Sequence, residues 1–266
     1  VALSYQRGKI VFSQDTNLND VYRDLLDAVY ERGYEGSVHR GLRFMLKEDY
    51  ERILEEIAVS AWHNAGRVTT VKEIEAHCQR SNIQHLLAPF QETAKAKLTD
   101  LLTAFYFRQA GVQGGESTFE FTHKSFSEYL VAMRILRMLE SIQRDLQLFE
   151  STRHEQGRDE TECLRRWIEL CSETPLDGDI YRFLCDGAAS LGKETAQRLQ
   201  TTVTTLISHM LQRGMPFENI APRPTYLQET KLSRNAEEAL LACHSACAYV
   251  TQTVGSIQWP SEDAAG

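Results

Sequence analysis

The chain of 266 residues has 29 basic and 37 acidic side chains, a net charge of −8, and 42% hydrophobic against 25% charged positions. That balance belongs to a folded globular protein and excludes a disordered or collagen-like chain. Its longest apolar stretches, such as the one around Leu98–Phe107, are broken by Thr, Asp and Arg well short of the roughly 18 apolar residues of a membrane span, so no membrane association is expected.

The chain begins at Val1 with neither a basic, apolar-cored leader nor a small-residue cleavage site, and it is read as a fragment of something longer. Six cysteines, Cys78, Cys163, Cys171, Cys185, Cys243 and Cys247, form no Cys-x-x-Cys pair, and reduced thiols in a cytoplasmic compartment are the simplest reading. Cys243 and Cys247 share a helical face and would offer zinc two thiolates. A second ligand pair is missing, and with Leu240 and Val250 they read as a core stripe, so no metal is expected.

Helical periodicity dominates. Val21, Tyr22, Leu25, Leu26 and Val29 predict a first helix from about Asn17 to Gly33, and Tyr50, Ile53, Leu54, Ile57, Ala61 and Trp62 a second that ends by Gly66 and packs against it. Gly33, Gly36 and Gly41 mark the loop between them. Arg67–Thr70 favours a short strand, and Val71–Cys78 a compact helix entered through Thr70 as N-cap with Glu73 three residues on. A further helix is expected over Gln91–Phe105. Then Tyr106–Gln109, a glycine-rich turn and Ser117–Thr122, with alternating Phe119 and Phe121, predict a hairpin. Helix, strand, helix, helix, hairpin is the order of a winged helix.

A long helix is expected from Ser125 toward Phe149. After the polar run Glu150–Glu162 come helices over Glu162–Cys171, Asp179–Ser190, Lys193–Arg213 and Arg234–Val254, and a linker over Gly255–Gly266. The predicted fold class is mainly α: a winged-helix domain with a small β hairpin, over 41–149, followed by an all-helical domain over 150–254. No fixed-period repeat is visible.

Local chemistry concentrates in Phe119–Ala132. Ser125-Phe126-Ser127-Glu128 has the form of a capping box, and His123 and Lys124 stand before a helix start whose unpaired N–H groups favour an anion. The plainer alternative makes Phe121, Phe126, Tyr129 and Leu130 core and leaves His123 bonded to its own turn.

The same segment resembles the Phe-x-His-x-Ser-Phe-x-Glu-Tyr-Leu-x-Ala signature that closes the winged helix of NACHT-type signal-transduction NTPases, also called STAND NTPases. The Val21–Tyr30 helix is similar to that family's Tyr-x-x-Leu-Leu segment after the nucleotide-binding core, and the Tyr50–Trp62 helix stands in the expected order. The resemblance covers roughly residues 15–140. It implies that residues 1–40 are a linker and helix from the end of an NTPase core. It also implies a P-loop core and effector before Val1, a sensor after residue 266, and ATP or ADP with magnesium as cofactors of the whole protein. His123 matches the histidine that contacts a phosphate of bound ADP, with Lys124 and Ser125 beside it. Exchange of ADP for ATP then frees the arm and allows homo-oligomerisation, and the helical domain relays sensor signals. For bacterial members the implied pathway is antiviral defence. The fragment itself is not expected to be an enzyme.

Gly187-x4-Gly192-Lys193 fits a P-loop pattern and could follow an apolar strand at Ile180–Cys185, but Glu194 stands where a magnesium-binding Ser or Thr is required. A nucleic-acid-binding winged helix would read DNA through Gln91–Phe105, whose Glu92, Lys95, Lys97 and Asp100 sum to zero. Its wing sets Arg108 against Glu116, and the net charge of −8 opposes phosphate binding. Arg134, Arg137 and Arg144 read as a solvated basic strip. A helical protein-interaction scaffold is the remaining alternative. Arg32 to His39 and Arg80 to His85 fit a loose ribonuclease spacing that chance supplies, and neither a His-Glu-x-x-His nor a Gly-x-Ser-x-Gly motif occurs.

Overall fold

The computed structural model describes residues 17–35, 45–64, 68–87, 107–113, 115–220 and 222–259. Among the described residues the fold is mainly α, with eight α-helices and one three-stranded antiparallel sheet. The chain divides into two compact units, Val1–Arg134 and Ile135–Gly266. That division lies well before the polar run Glu150–Glu162, where the sequence pattern suggested one.

In the first unit, helix α1 (Leu18–Glu35) is opened by a reciprocal cap. The Asn17 Oδ1 accepts from the Asp20 amide at 3.0 Å, and the Asp20 Oδ2 accepts from the Asn17 amide at 3.3 Å. Helix α2 (Lys47–His63) buries Tyr50, Ile53, Leu54, Ile57 and Ala61, the stripe expected of it, and packs against α1. Strand β1 (Val68–Thr70) leads directly into α3 (Val71–Arg80) through the Thr70 capping box. The Thr70 Oγ1 accepts from the Glu73 amide at 3.2 Å, and the Glu73 carboxylate accepts from the Thr70 amide at 2.7 Å. A 3-10 turn at Gln84–Leu87 follows.

Strands β2 (Phe107–Gln113) and β3 (Glu116–Phe121) form the expected hairpin, and β3 also pairs with β1, giving the order β1-β3-β2. A bulge between Gln109 and Gly111 shifts the β2–β3 register. Helix, strand, helix and paired hairpin match the expected winged-helix order; the helix expected over Gln91–Phe105 lies outside the described residues.

Helix α4 (Lys124–Ser151) supplies its start, to Arg134, to the first unit. Arg134 is not part of a solvated strip: its Nε donates to the Glu56 Oε1 of α2 at 2.6 Å, with both side chains largely covered. Burial makes each charge depend on the other, because removing one strands its partner.

The second unit contains α4 from Ile135 onward, α5 (Glu160–Cys171), α6 (Gly178–Leu191), α7 (Lys193–Arg213) and α8 (Tyr226–Thr251). Asp159 and Asp177 cap α5 and α6 by accepting from the Glu162 and Ile180 amides. The Asp145 Oδ2 on α4 accepts from Arg166 at 2.5 Å and Arg158 at 2.8 Å. Trp167 is fully buried, and its indole N–H donates to the Ala236 carbonyl at 2.9 Å, while the Asn235 Nδ2 donates to the Ser172 carbonyl at 2.7 Å.

Helix α8 begins at Tyr226, a full two turns before the expected Arg234. The polar Thr225–Gln228 capping box sets that start, just after Pro224. Gly187 lies buried inside α6, and the Gly192 backbone at φ +81° joins α6 to α7. Ile180–Cys185 is therefore helix rather than strand, and Gly187–Lys193 is a helix end and turn, not a P-loop.

Thr70→Ala removes the oxygen that caps α3, and a loss of about 1 kcal/mol is expected. Urea unfolding followed by circular dichroism checks it; an unchanged midpoint would show that the cap contributes nothing.

Candidate functional site

The best-defined candidate lies where β3 hands the chain to α4. Phe121 is buried at the end of the strand, Thr122 and His123 are exposed, and the helix then starts at Lys124. The His123 carbonyl accepts from the Phe126 amide at 3.1 Å. Ser125 thus stands inside the first turn rather than at the cap, and the expected Ser125 capping box is replaced by a tertiary contact. The Tyr22 hydroxyl of α1 donates to the Ser125 Oγ at 2.6 Å.

An aromatic group seats this junction. Tyr22 stacks on Tyr129 with ring centroids 5.3 Å apart and meets Phe126 at 5.7 Å; Phe126 in turn meets Phe121 at 6.0 Å. Offset and tilted pairs at these separations add to the apolar burial they accompany. Burial is the first cause that pushes the Tyr129 phenol up to about 12, so it is neutral throughout the physiological range.

Lys124 is half-exposed, and its Nζ lies 2.6 Å from the Glu128 Oε1, a carboxylate that is itself buried. The i,i+4 spacing of that pair was legible in the sequence, where Glu128 was instead assigned to the cap. His123 and Lys124 therefore both stand at the helix mouth. His123 is solvent-facing, while Lys124 already holds a carboxylate. No phosphate position is defined by the protein groups alone.

The first unit also holds a second polar group that sequence reasoning missed. Trp62, His63 and His77 stack in succession, with centroids 4.8 and 5.6 Å apart. The Arg80 Nη2 donates to the His77 Nε2 at 2.7 Å, so that nitrogen is unprotonated. Desolvation, then the nearby Arg80, lowers the His77 pKa from 6.5 to about 3. Only the α3 spacing of His77 and Arg80 could have signalled the contact.

The thiols behave as core. Cys243 and Cys247 are buried in α8, and desolvation raises Cys247 to about 11 and Cys243 well above the usual range. Thiols kept protonated by burial are weak nucleophiles. In the wing, Arg108 pairs with Glu120 at 2.5 Å rather than with Glu116, leaving the wing's arginine matched to a carboxylate.

Among the described residues no helix is long and apolar enough to cross a membrane. Comparison of the chain with protein-family models, with curated proteins and with solved structures gives no match in any of the three.

His77 provides a pH test. The unfolded chain takes up its proton near pH 6.5 and the folded one near 3. The stability contributed by neutral His77 is therefore complete above pH 6.5 and is lost progressively as pH falls toward 3. His77→Gln keeps an acceptor for Arg80 and is expected to flatten the fall in unfolding midpoint between about pH 7 and about pH 5. An unaltered slope would show that other groups carry it.

Proposed function

We propose that this chain is the regulatory part of a NACHT-type, nucleotide-switched NTPase. In this reading the first unit latches ADP bound in a neighbouring P-loop core, and the helical unit relays signals from a sensor. His123 is the phosphate-contacting residue, with Lys124 and the first turn of α4 supporting it. Because Glu128 holds Lys124, an incoming phosphate must compete with that carboxylate, which makes His123 the freer donor. The chain by itself does not hydrolyse ATP.

One observation carries the reading. The Tyr22 helix and the Phe-x-His-x-Ser-Phe-x-Glu-Tyr-Leu segment, about a hundred positions apart, resemble two parts of one family pattern. Here they meet through Tyr22, Ser125, Phe126 and Tyr129. Their union buries Phe126 and Tyr129, half-buries Tyr22 and leaves the histidine exposed. A phosphate latch requires that division of labour; a purely structural histidine does not.

A second reading, a helical interaction scaffold, is favoured by the exposed apolar side chains of α8, among them Tyr226, Leu227 and Tyr249, at 82, 79 and 72% exposure. A nucleic-acid-binding winged helix gains nothing from the wing, where Arg108 is paired.

In the intact polypeptide, His123→Ala is expected to remove one charge-assisted phosphate contact, about 1.5–3 kcal/mol, and so to reduce co-purifying ADP by roughly tenfold or more while raising basal signalling. Chromatographic quantification of released nucleotide measures it, and an unchanged ADP content would reduce His123 to a surface residue. Calorimetry of the isolated chain with ADP and magnesium should show no tight binding; micromolar affinity there would contradict the division between latch and core.

A further inference from the structure

Beyond the end of α8, residues 253–258 stay on the second unit, so the described start of the stretch expected to be a linker over Gly255–Gly266 is seated rather than free. Gln252 adopts the left-handed conformation, φ +57°, and turns residues 253–258 back onto α7. There they follow one polar stripe whose members Gln200, Thr204 and Ser208 recur every four residues, on a single helical face. The Gln200 side chain, 1% exposed, is committed to this segment at both ends of its amide. Its Nε2 donates to the Thr253 carbonyl at 3.0 Å, and its Oε1 accepts from the Thr251 and Thr253 hydroxyls at 2.7 and 3.1 Å. Farther along, the Gln258 amide donates to the Ser208 Oγ at 3.0 Å.

Between these two attachments Gly255 passes so close to the helices that a Cβ there would lie 2.4 Å from the His244 Nε2 and 2.6 Å from the Thr204 Oγ1. Seating is thus a matter of backbone fit and polar contact. Of the segment's larger side chains, Val254 and Trp259 turn outward, at 95% and 56% exposure, and Ile257 alone is half-buried. A stretch held by a few hydrogen bonds and little apolar burial belongs to the low-stability end of a fold.

We propose that Thr253–Trp259 is a releasable strap: it unseats from the α7 stripe as a unit while α5 to α8 remain folded, and Gln200 registers whether it is seated. Release uncovers a polar track on α7 and frees the chain segment beyond α8. The device is independent of the nucleotide reading, since none of its residues belongs to the His123 region.

Hydrogen exchange read by mass spectrometry on the full chain tests the strap directly. In the wild type, peptides covering 253–258 should exchange at least tenfold faster than those from the middle of α7 and α8, yet slower than unstructured peptide. Gly255→Ala should bring the strap peptides to unstructured rates and leave α7 and α8 protected, and Gln200→Ala should do the same. Two results would overturn the proposal. One is a Gly255→Ala strap as protected as wild type; the other is strap and helices exchanging together, which would make the segment an ordinary part of one cooperative body. If Gln200→Ala fails to fold, the Gly255→Ala result decides alone.

Discussion

The first unit depends on how α1 is seated against the start of α4. Tyr22 does two jobs there: its ring lies against Phe126 and Tyr129, and its hydroxyl donates to Ser125. The ring contacts add to the apolar burial, and the hydrogen bond gives the half-buried phenol a partner that orients the ring. With that seat formed, Phe121 is drawn into the core and His123, two residues on, is left outside. The chemical proposal follows from the seat: a histidine and a lysine at a helix mouth, presented by a rigid aromatic base.

The same unit buries charge economically. Glu56 and Arg134 are matched to one another, and Ser60 and Thr69 share a 2.6 Å hydrogen bond between α2 and β1. These polar contacts fix which face of each helix meets its neighbour, a task that interchangeable aliphatic contacts perform less selectively. The second unit repeats the device with other residues. Trp167 and Asn235 are buried side chains whose polar atoms reach carbonyls on neighbouring segments, so α5 and α8 meet in one register.

How much of this was legible depended on the range of the interaction. Short-range signals carried through: the Thr70–Glu73 cap, the Phe119/Phe121 alternation of β3, the Tyr50–Ala61 stripe and the bounds of α7 all depend on residues a few positions apart. Where a local pattern had two uses, the sequence misled. Ser125 and Glu128 have the spacing of a capping box, but Tyr22, more than a hundred residues away, takes the serine, and Lys124 takes the glutamate. Arg134 looked solvated because its partner Glu56 belongs to another helix. The first two turns of α8 escape the pattern because their apolar residues Tyr226 and Leu227 are adjacent and solvent-exposed rather than part of a buried helical stripe. The candidate histidine was legible only through its motif; its exposure was not, because exposure is a property of the packed junction.

The central claim is that the seat formed by Tyr22 and α4 presents His123 to a phosphate held by another part of the protein. Diethyl pyrocarbonate footprinting of the intact polypeptide, carried out with ADP bound and again after the nucleotide is stripped, tests it most directly. His85, also exposed in the first unit, is the internal control. Protection of His123 by ADP, with His85 equally reactive in both states, is the expected result. Equal modification of His123 with and without ADP would contradict the claim.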